Sequence, residues 1–363
     1  MTVLSRAEAL ATELPPLDYG ALTPFLTGAS EWMLRALPRY LPQGEPAEFL
    51  YDPARDYPLR GGKRFRPALL LLSCALAGGD PALAVPSAVA LELFQAFALV
   101  HDDIEDGSLV RRGKPALHQL HGVPLAINAG DLLFGLVYEA LIDNEALLGS
   151  ARALAVMREF AQVFRRTFEG QALDIGWIRT GRIPDRAGFE TMIRLKTAWY
   201  SGRGPCRIGA GLAGAPPAVL AALGAYGEQL GIGFQIRDDL LNLTEDSAAA
   251  APSAAGGGYG KERGGDIAEG KRTLIVIEML ERLPAAEGQR VAGILTLPPE
   301  RTSPQDIEWT IAAAERCGAL AAVRRQCRAH GEAALDALVA LPDSPQRRLL
   351  AELAGFLTQE RTA

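Results

Sequence analysis

The chain has 363 residues, of which 48% are hydrophobic, and its formal net charge is −6. This composition is typical of a globular protein with a large buried core, and it lacks the basic balance expected of a nucleic-acid partner or an anionic membrane surface. Residues 1–13 contain Glu8 and Glu13 and no basic segment followed by an apolar one, so we expect no signal peptide. The longest apolar stretch, residues 68–77, is shorter than the roughly 20 residues of a membrane span, which predicts a cytoplasmic protein without stable membrane insertion.

Apolar residues recur at helical spacing along most of the chain, as in residues 84–100, 157–169 and 218–236, and alternating runs of strand length are scarce. Clusters containing Gly and Pro at residues 78–81, 181–184 and 214–217 predict turns between antiparallel helices. The sequence therefore predicts an all-α fold. The cysteines lie far apart and lack the close pairs of a zinc site, so we expect reduced, structural thiols at Cys74, Cys206, Cys317 and Cys327.

The first acidic segment, residues 102–106, follows a strongly apolar run. On a helix, Asp102 and Asp106 share a face and Asp103 lies beside them. Like charges at this spacing destabilise a helix unless a cation neutralises them, and oxygen ligands suit a hard cation such as magnesium, which also binds substrate phosphates. The segment therefore predicts a magnesium site; the alternative is a solvated acidic end of a helix.

The second acidic segment repeats this spacing with Asp238, Asp239 and Asn242, again after a largely apolar helix. Only the fold can bring two such distant segments together, and a helix bundle can direct carboxylates from facing helices inward. Two matched segments favour a shared metal site over two unrelated surface patches.

Lysine is rare in this chain, because only five of its 37 basic residues are lysines: Lys63, Lys114, Lys196, Lys261 and Lys271. Their polar or glycine neighbours are typical of phosphate sites, where a compact point charge is useful; the alternative is scattered surface charge. Residues 247–260 are rich in Ala and Gly and have no apolar period. They predict a mobile loop that ends at Lys261 and brings its charge to a site, or else a tolerated surface insertion.

Together with the sequence GGKRFRP at residues 61–67, these motifs resemble those of the trans-type isoprenyl diphosphate (polyprenyl) synthases over about residues 56–273, and geranylgeranyl diphosphate synthases in particular. The resemblance implies a single large helix bundle around a central cavity. We divide it into an N-terminal helical extension, residues 1–55, and a catalytic domain, residues 56–363. The resemblance also implies a homodimer that needs Mg²⁺ and condenses isopentenyl diphosphate with an allylic diphosphate.

By motif position, the resemblance assigns roles to individual residues. The metal ligands would be Asp102, Asp103, Asp106, Asp238, Asp239 and Asn242, with Arg111 as a basic partner of the first segment. The isopentenyl diphosphate pocket would contain Gly62, Lys63, Arg66, Gln95 and Arg112. The leaving diphosphate would be held by Lys196, Thr197, Gln235, Lys261 and Lys271. Gln171 and Asp174 would assist the metal-bound water and diphosphate. We expect the catalytic residues to be Asp102, Asp103, Asp106, Lys196, Asp238 and Asp239.

Product length is predicted from the residues about one helical turn before Asp102, where the growing tail would pass between helices. Phe97 and Ala98 stand there, an aromatic residue followed by a small one. This pair resembles the pattern of geranylgeranyl synthases, whereas farnesyl synthases commonly carry two bulky residues. The alternative is that Phe97 is an ordinary core residue.

One departure from the family pattern is Asn242, where many members have aspartate. It leaves open the interpretation that the chain is a catalytically impaired partner subunit of a heteromeric prenyl synthase. A class I terpene cyclase is a further alternative, because it shares the helical fold and the metal-dependent ionisation step. The intact aspartates argue against the impaired subunit. The second basic pocket around Lys63, Arg66 and Arg112 argues against the cyclase, which needs only one diphosphate site.

Overall fold

The computed structural model describes residues 4–244 and 263–358; residues 247–260 and Lys261 lie outside this part, so the predictions made for them stay predictions. The predicted all-α bundle is confirmed. Its helices are α1 (Arg6–Glu13), α2 (Leu22–Ala36), α3 (Asp52–Leu59), α4 (Phe65–Leu76), α5 (Val85–Asp106), α6 (Leu117–His121), α7 (Val123–Leu148), α8 (Ser150–Thr180), α9 (Arg186–Ile193), α10 (Gly204–Leu212), α11 (Pro217–Thr244), α12 (Gly265–Ala268), α13 (Leu274–Arg282), α14 (Ala285–Ile294), α15 (Pro304–Arg316), α16 (Ala319–Leu338) and α17 (Pro345–Thr358).

Helix α5 runs through the centre of the bundle. Pro86 occupies its first turn, where the missing N–H has no helical partner to lose, and Gly107 ends it at a φ of 69°. Every residue from 85 to 97 is buried, because α4 and α7 pack against it. Only its last turns approach solvent, and the first acidic segment lies there.

Helix α11 carries the second acidic segment and packs against a π-helical stretch, Arg194–Arg203, that joins α9 to α10. Gly202 and Gly227 lie at this contact, where a Cβ on either residue would collide with the backbone of the other. The absent side chains let the two backbones approach closely. This contact brings Lys196 and Thr197 opposite the end of α11.

A short β-hairpin with a two-residue turn follows α5; its strands are β1 (Val110–Arg111) and β2 (Lys114–Pro115). Its turn residues, Arg112 and Gly113, have φ angles of 54° and 74°. Positive φ at both positions matches the twist of a tight hairpin. The turn therefore places Arg111 beside the first acidic segment, whereas Arg112 donates to the carbonyl of Gly61.

Two helical spans, Pro81–Asp106 and Val123–Leu148, are long and apolar enough to cross a membrane by length and composition. This corrects the expectation that no segment reaches that length. The first is mostly buried inside the bundle, and a helix that is packed on all sides needs apolar residues on every face. The second is less than half buried.

Residues of the predicted N-terminal extension share a core with the rest of the chain: Leu10, Trp32 and Met33 belong to the same buried apolar cluster as Leu91 and Phe94. The proposed boundary at residue 55 falls inside α3. The division into two parts stays a prediction. All four cysteines are free, and three of them are buried.

Candidate active site

A cavity of about 470 Å³ opens beside the C-terminal ends of α5 and α11. The predicted residues that line it are Arg66, Gln95, Phe97, Ala98, Asp102, Arg111, Arg112, Gln171, Lys196, Thr197, Gln235, Asp238, Asp239 and Lys271. The fold thus brings both acidic segments to one space. The predicted residues that do not line the cavity are Gly62, Lys63, Asp103, Asp106, Asp174 and Asn242.

Two carboxylates of the first acidic segment line the cavity, Asp102 and Glu105, and Glu105 Oε2 accepts a hydrogen bond of 2.6 Å from Gln171 Nε2. Asp102 has the larger set of charged partners. Its Oδ1 lies 3.4 Å from Lys196 Nζ and accepts a hydrogen bond of 3.3 Å from Gln171 Nε2. Its Oδ2 lies 3.7 Å from Arg111 Nη2. Donors from three parts of the chain therefore surround the oxygens that are predicted to bind a cation.

Asp103 points away from the cavity, unlike the arrangement expected for a metal ligand. Its side chain is fully buried, and it accepts hydrogen bonds from Tyr57 Oη at 2.5 Å and from Arg111 Nε at 2.9 Å. Burial and the charge of Asp103 raise the pKa of Tyr57. The physical reason is helical geometry, since adjacent residues on a helix point about 100° apart. In this structure Asp103 orients Arg111 and has no oxygen facing the cavity.

Asp106 is almost completely buried one turn beyond Asp102, and its Oδ2 lies 2.8 Å from Lys271 Nζ. Burial raises the pKa of Asp106 to about 7, although the positive charge of Lys271 opposes the shift. Burial alone would lower the pKa of Lys271, but Asp106 and Glu269 raise it well above its usual value. The pair places a cation on a carboxylate that is on the same side of α5 as Asp102 but does not itself line the cavity.

Lys196 makes the same kind of contact on the opposite wall. Its Nζ lies 2.5 Å from Asp174 Oδ2 on α8, in addition to its contact with Asp102. Gly170 on α8 allows this approach, because a Cβ there would collide with the backbone of Lys196. Burial opposes the charge of Lys196, but Asp174 and Asp102 raise its pKa. Asp174 therefore holds a cavity lysine without lining the cavity.

In the second acidic segment, Asp238 and Asp239 both line the cavity. Asp239 Oδ1 accepts a hydrogen bond of 2.9 Å from Gln235 Nε2, and Gln235 Oε1 accepts one of 3.1 Å from Thr197 Oγ1. Burial and then the neighbouring charge of Asp266 raise the pKa of Asp239 well above its usual value. A cation placed here would relieve that repulsion.

Asn242 does not reach the cavity, so the structure does not place it as the predicted metal ligand. Its side chain is fully buried, and its Oδ1 accepts a hydrogen bond of 3.1 Å from the backbone N–H of Asp266. Asp266 itself lines the cavity beside Asp239. Asp266 was not predicted as a site residue, because α12 is too short to show a periodic pattern. Its position between Lys261 and Lys271 was the feature of the sequence that could have indicated it.

Two arginines, Arg66 and Arg112, form a basic wall of the same cavity. Arg66 Nε donates to Ser201 Oγ at 2.9 Å, and its guanidinium lies 4.7 Å from the ring centre of Tyr200. Burial lowers the pKa of Arg112 to about 10, and Glu92 opposes that shift. Arg66 and Arg112, together with Gln95, form this basic wall.

The glycine-rich loop before α4 supports this wall. Gly62 has a φ of 124°, and a Cβ there would lie 2.8 Å from Arg112 Nη2. A buried ion pair of 2.8 Å between Arg64 Nη1 and Glu92 Oε1 holds the same loop against α5. Neither residue was predicted from the sequence to have a role. Lys63 Nζ lies 5.2 Å from the ring centre of Phe356 on α17. Gly62 thus shapes the wall through Arg112.

Aromatic rings form the apolar end of the cavity below Asp102. Phe97 on α5 lies 4.8 Å from Phe134 on α7 and 5.9 Å from Phe168 on α8, measured between ring centres. The ring of His101 packs on Phe97 with 4.7 Å between the ring centres and a tilt of 49°. Phe97 and Phe168 line the cavity, so Phe97 combines a core position with a surface that a ligand could touch. The partner rings come from helices distant in sequence, which no local pattern could identify.

The donor set fits magnesium bound together with a phosphate-containing ligand. Within residues 4–244 and 263–358, no three His, Cys, Asp or Glu side chains are close enough to hold an ion alone. Magnesium usually keeps several waters and takes one or two carboxylates plus substrate phosphates. Carboxylates from α5 and α11, with Asp102 and Asp106 already in contact with lysines, match that requirement.

Comparison with known proteins matches residues 47–313 to the family model described as polyprenyl synthetase. The chain is 38% identical to a short chain isoprenyl diphosphate synthase of Methanothermobacter thermautotrophicus, over 82% of this chain and 86% of that protein. It is 33% identical to a geranylfarnesyl diphosphate synthase of Natronomonas pharaonis, over 89% and 93%. A solved geranylgeranyl pyrophosphate synthase of Corynebacterium glutamicum, complexed with isoprenyl diphosphate and magnesium, superposes with a TM-score of 0.80 at 30% identity, covering 95% of this chain and all of that one.

Proposed function

The chain belongs to the polyprenyl synthetase family and is a prenyltransferase that elongates trans-prenyl chains, and we propose that it makes geranylgeranyl diphosphate from isopentenyl diphosphate and an allylic diphosphate, with Mg²⁺. The observation that carries this proposal is the pairing of two anion sites in one cavity. The acidic segments with Lys196 and Lys271 form one, and the wall of Arg66, Gln95 and Arg112 forms the other. Two diphosphate substrates need both.

Magnesium would be held by Asp102 and Asp106 on one side and by Asp238 and Asp239 on the other, and it would supply charge that stabilises the departing diphosphate. Lys196 already lies against Asp102, and Lys271 lies against Asp106. When an anion enters, their ammonium groups can turn from the carboxylates to its oxygens. Thr197 and Gln235, joined by a hydrogen bond, then complete the polar surface beneath the leaving group.

The other residues of the cavity serve the carbon chemistry. The ring of Phe97 and its neighbours exclude water from the allylic cation that forms when the C–O bond to diphosphate breaks. Arg66 and Arg112 hold isopentenyl diphosphate so that its double bond can attack that cation. The departed diphosphate, kept in place by Lys196 and Lys271, accepts the proton whose loss regenerates an allylic double bond. No histidine is required as a base.

The product length follows from the depth of the apolar end. Phe97 stands one turn below Asp102 with Phe134 behind it, and Ala98 beside it leaves room for a tail of intermediate length. Relatives of this chain include both geranylgeranyl and geranylfarnesyl diphosphate synthases. The aromatic barrier supports the shorter product, geranylgeranyl diphosphate.

The proposed homodimer would use the outer face of α7. Val123, Ile127, Tyr138 and Ile142 are each 39–57% exposed on this helix. An exposed apolar face of this extent is typical of a protein interface. Phe134, which is half-buried on the same side of α7, packs on both Tyr138 and Phe97, so the face lies directly behind the cavity.

The decisive experiment is incubation of the purified protein with Mg²⁺, isopentenyl diphosphate and each allylic primer in turn, followed by chromatography of the products. Linear geranylgeranyl diphosphate that disappears when the metal is chelated supports the proposal. A cyclic hydrocarbon would indicate a terpene cyclase instead. Turnover that appears only when a companion chain is added would indicate a catalytically impaired subunit.

A further inference from the structure

The last turn of α11 is hydrogen-bonded to the segment that begins at residue 263. Asn242 is fully buried, and both of its oxygens accept hydrogen bonds from that segment. Its side-chain Oδ1 accepts from the N–H of Asp266 at 3.1 Å, and its backbone oxygen accepts from the N–H of Gly264 at 2.8 Å. Gly264 has a φ of 79°, which lets the chain turn back onto the helix end.

This segment carries two charged groups to the cavity, Asp266 and Lys271. The backbone N–H of Lys271 donates to the carbonyl of Asp266 at 2.8 Å, so the two residues are held in one turn. Lys271 Nζ then reaches Asp106 at 2.8 Å. A continuous set of contacts therefore runs from Asn242 through Asp266 and Lys271 to the first acidic segment.

The amide is well suited to this place. Asp239 and Asp266 are both buried beside the same helix end, so a third carboxylate would add negative charge where little water can screen it. Asparagine supplies the acceptor oxygen that the Asp266 N–H needs without adding that charge.

We infer that Asn242 is a positioning residue, a neutral clamp that holds Asp266 and Lys271 at the cavity wall and does not bind metal itself. That the cavity wall binds a diphosphate rests on the proposed function, whereas the Asn242 clamp is a property of the ligand-free chain. An experiment can therefore disprove the clamp and the proposed function independently.

Hydrogen–deuterium exchange of the metal-free full chain tests the clamp. In Asn242→Ala, the buried N–H of Asp266 loses its acceptor, and we expect peptides covering residues 263–271 to exchange about tenfold faster. Asn242→Asp keeps an acceptor oxygen and should restore slow exchange. Asn144→Ala is the matched control, because Asn144 is also a fully buried asparagine with a side-chain hydrogen bond, to Ser87, but lies far along α7. It should leave residues 263–271 unchanged.

Calorimetric titration of the same variants with inorganic diphosphate and Mg²⁺ completes the test. The clamp predicts weaker binding by Asn242→Ala and no tightening by Asn242→Asp. Unchanged exchange in Asn242→Ala, or faster exchange with unaltered diphosphate binding, would overturn the inference. Should Asn242→Ala fail to fold, Asn242→Asp decides alone: a metal ligand would gain affinity from the added charge, and that gain would refute the clamp. Absence of turnover in the wild-type protein would count against the proposed function and leave the exchange result standing.

Discussion

Lys271 Nζ lies 2.8 Å from Asp106 Oδ2, in a contact that joins the first acidic segment to the chain that follows the second. Both side chains are mostly buried, and Glu269 Oε2 lies 3.0 Å from the same ammonium group. The ammonium group of Lys271 therefore already supplies positive charge where the proposed reaction needs it. The lysine neutralises the carboxylates in the free protein and is placed to meet a diphosphate.

Replacing this lysine should affect stability as well as activity. Lys271→Met leaves Asp106 buried without its cation, and we expect the free energy of unfolding to fall by about 3 kcal/mol, measured by urea denaturation. The double variant Lys271→Met/Asp106→Asn should regain most of that loss. Lys114→Met is the control, because Lys114 is exposed on β2. An equal loss in the control would contradict the assignment.

The glycine-rich loop offers a matched pair of substitutions for the basic wall. Gly61 and Gly62 have φ angles of 90° and 124°, so alanine is strained at both. A Cβ at residue 62 meets the guanidinium of Arg112, whereas one at residue 61 has nothing within 4 Å. We expect Gly62→Ala to raise the KM for isopentenyl diphosphate about tenfold more than Gly61→Ala does, because the new Cβ displaces the guanidinium of Arg112, a charged hydrogen-bond donor. Steady-state kinetics with equal KM values in both variants would exclude this role for Gly62.

Removing the ring of Phe97 should lengthen the product. Phe97→Ala opens the barrier below Asp102, and product chromatography should show chains longer than those of the wild type. Phe160→Ala is the control: Phe160 is fully buried in the same aromatic cluster but does not line the cavity. It should cost about 3–5 kcal/mol of stability without changing the product. An unchanged profile in Phe97→Ala would make Phe97 an ordinary core residue.

A charge on the outer face of α7 should disrupt the proposed homodimer. Ile142 is 57% exposed, so Ile142→Glu costs the monomer little and places an unpaired charge in the interface. Light scattering after size exclusion should show the mass of one chain. Val339→Glu, at a residue that is 72% exposed on another part of the surface, should leave the mass unaltered. A wild-type protein that has the mass of one chain in the same measurement would contradict the proposed homodimer.

The helical class, the two acidic segments and the family could all be predicted from the sequence, because each is a local signal. Periodic apolar residues predict helices, and carboxylates at i and i+4 share a face whatever surrounds them. The resemblance was confirmed by the family match over residues 47–313. The cytoplasmic location stays a prediction.

Which members of those segments face the cavity depends on the tertiary structure. Asp103 and Asn242 stand at positions that the family pattern assigns to metal ligands. In this structure Asp103 accepts hydrogen bonds from Tyr57 and Arg111, and Asn242 accepts one from the backbone N–H of Asp266. Their partners come from distant parts of the chain, so no pattern within a single helix could reveal them. The direction of a side chain on a helix is local, but what it meets there depends on how the helices pack.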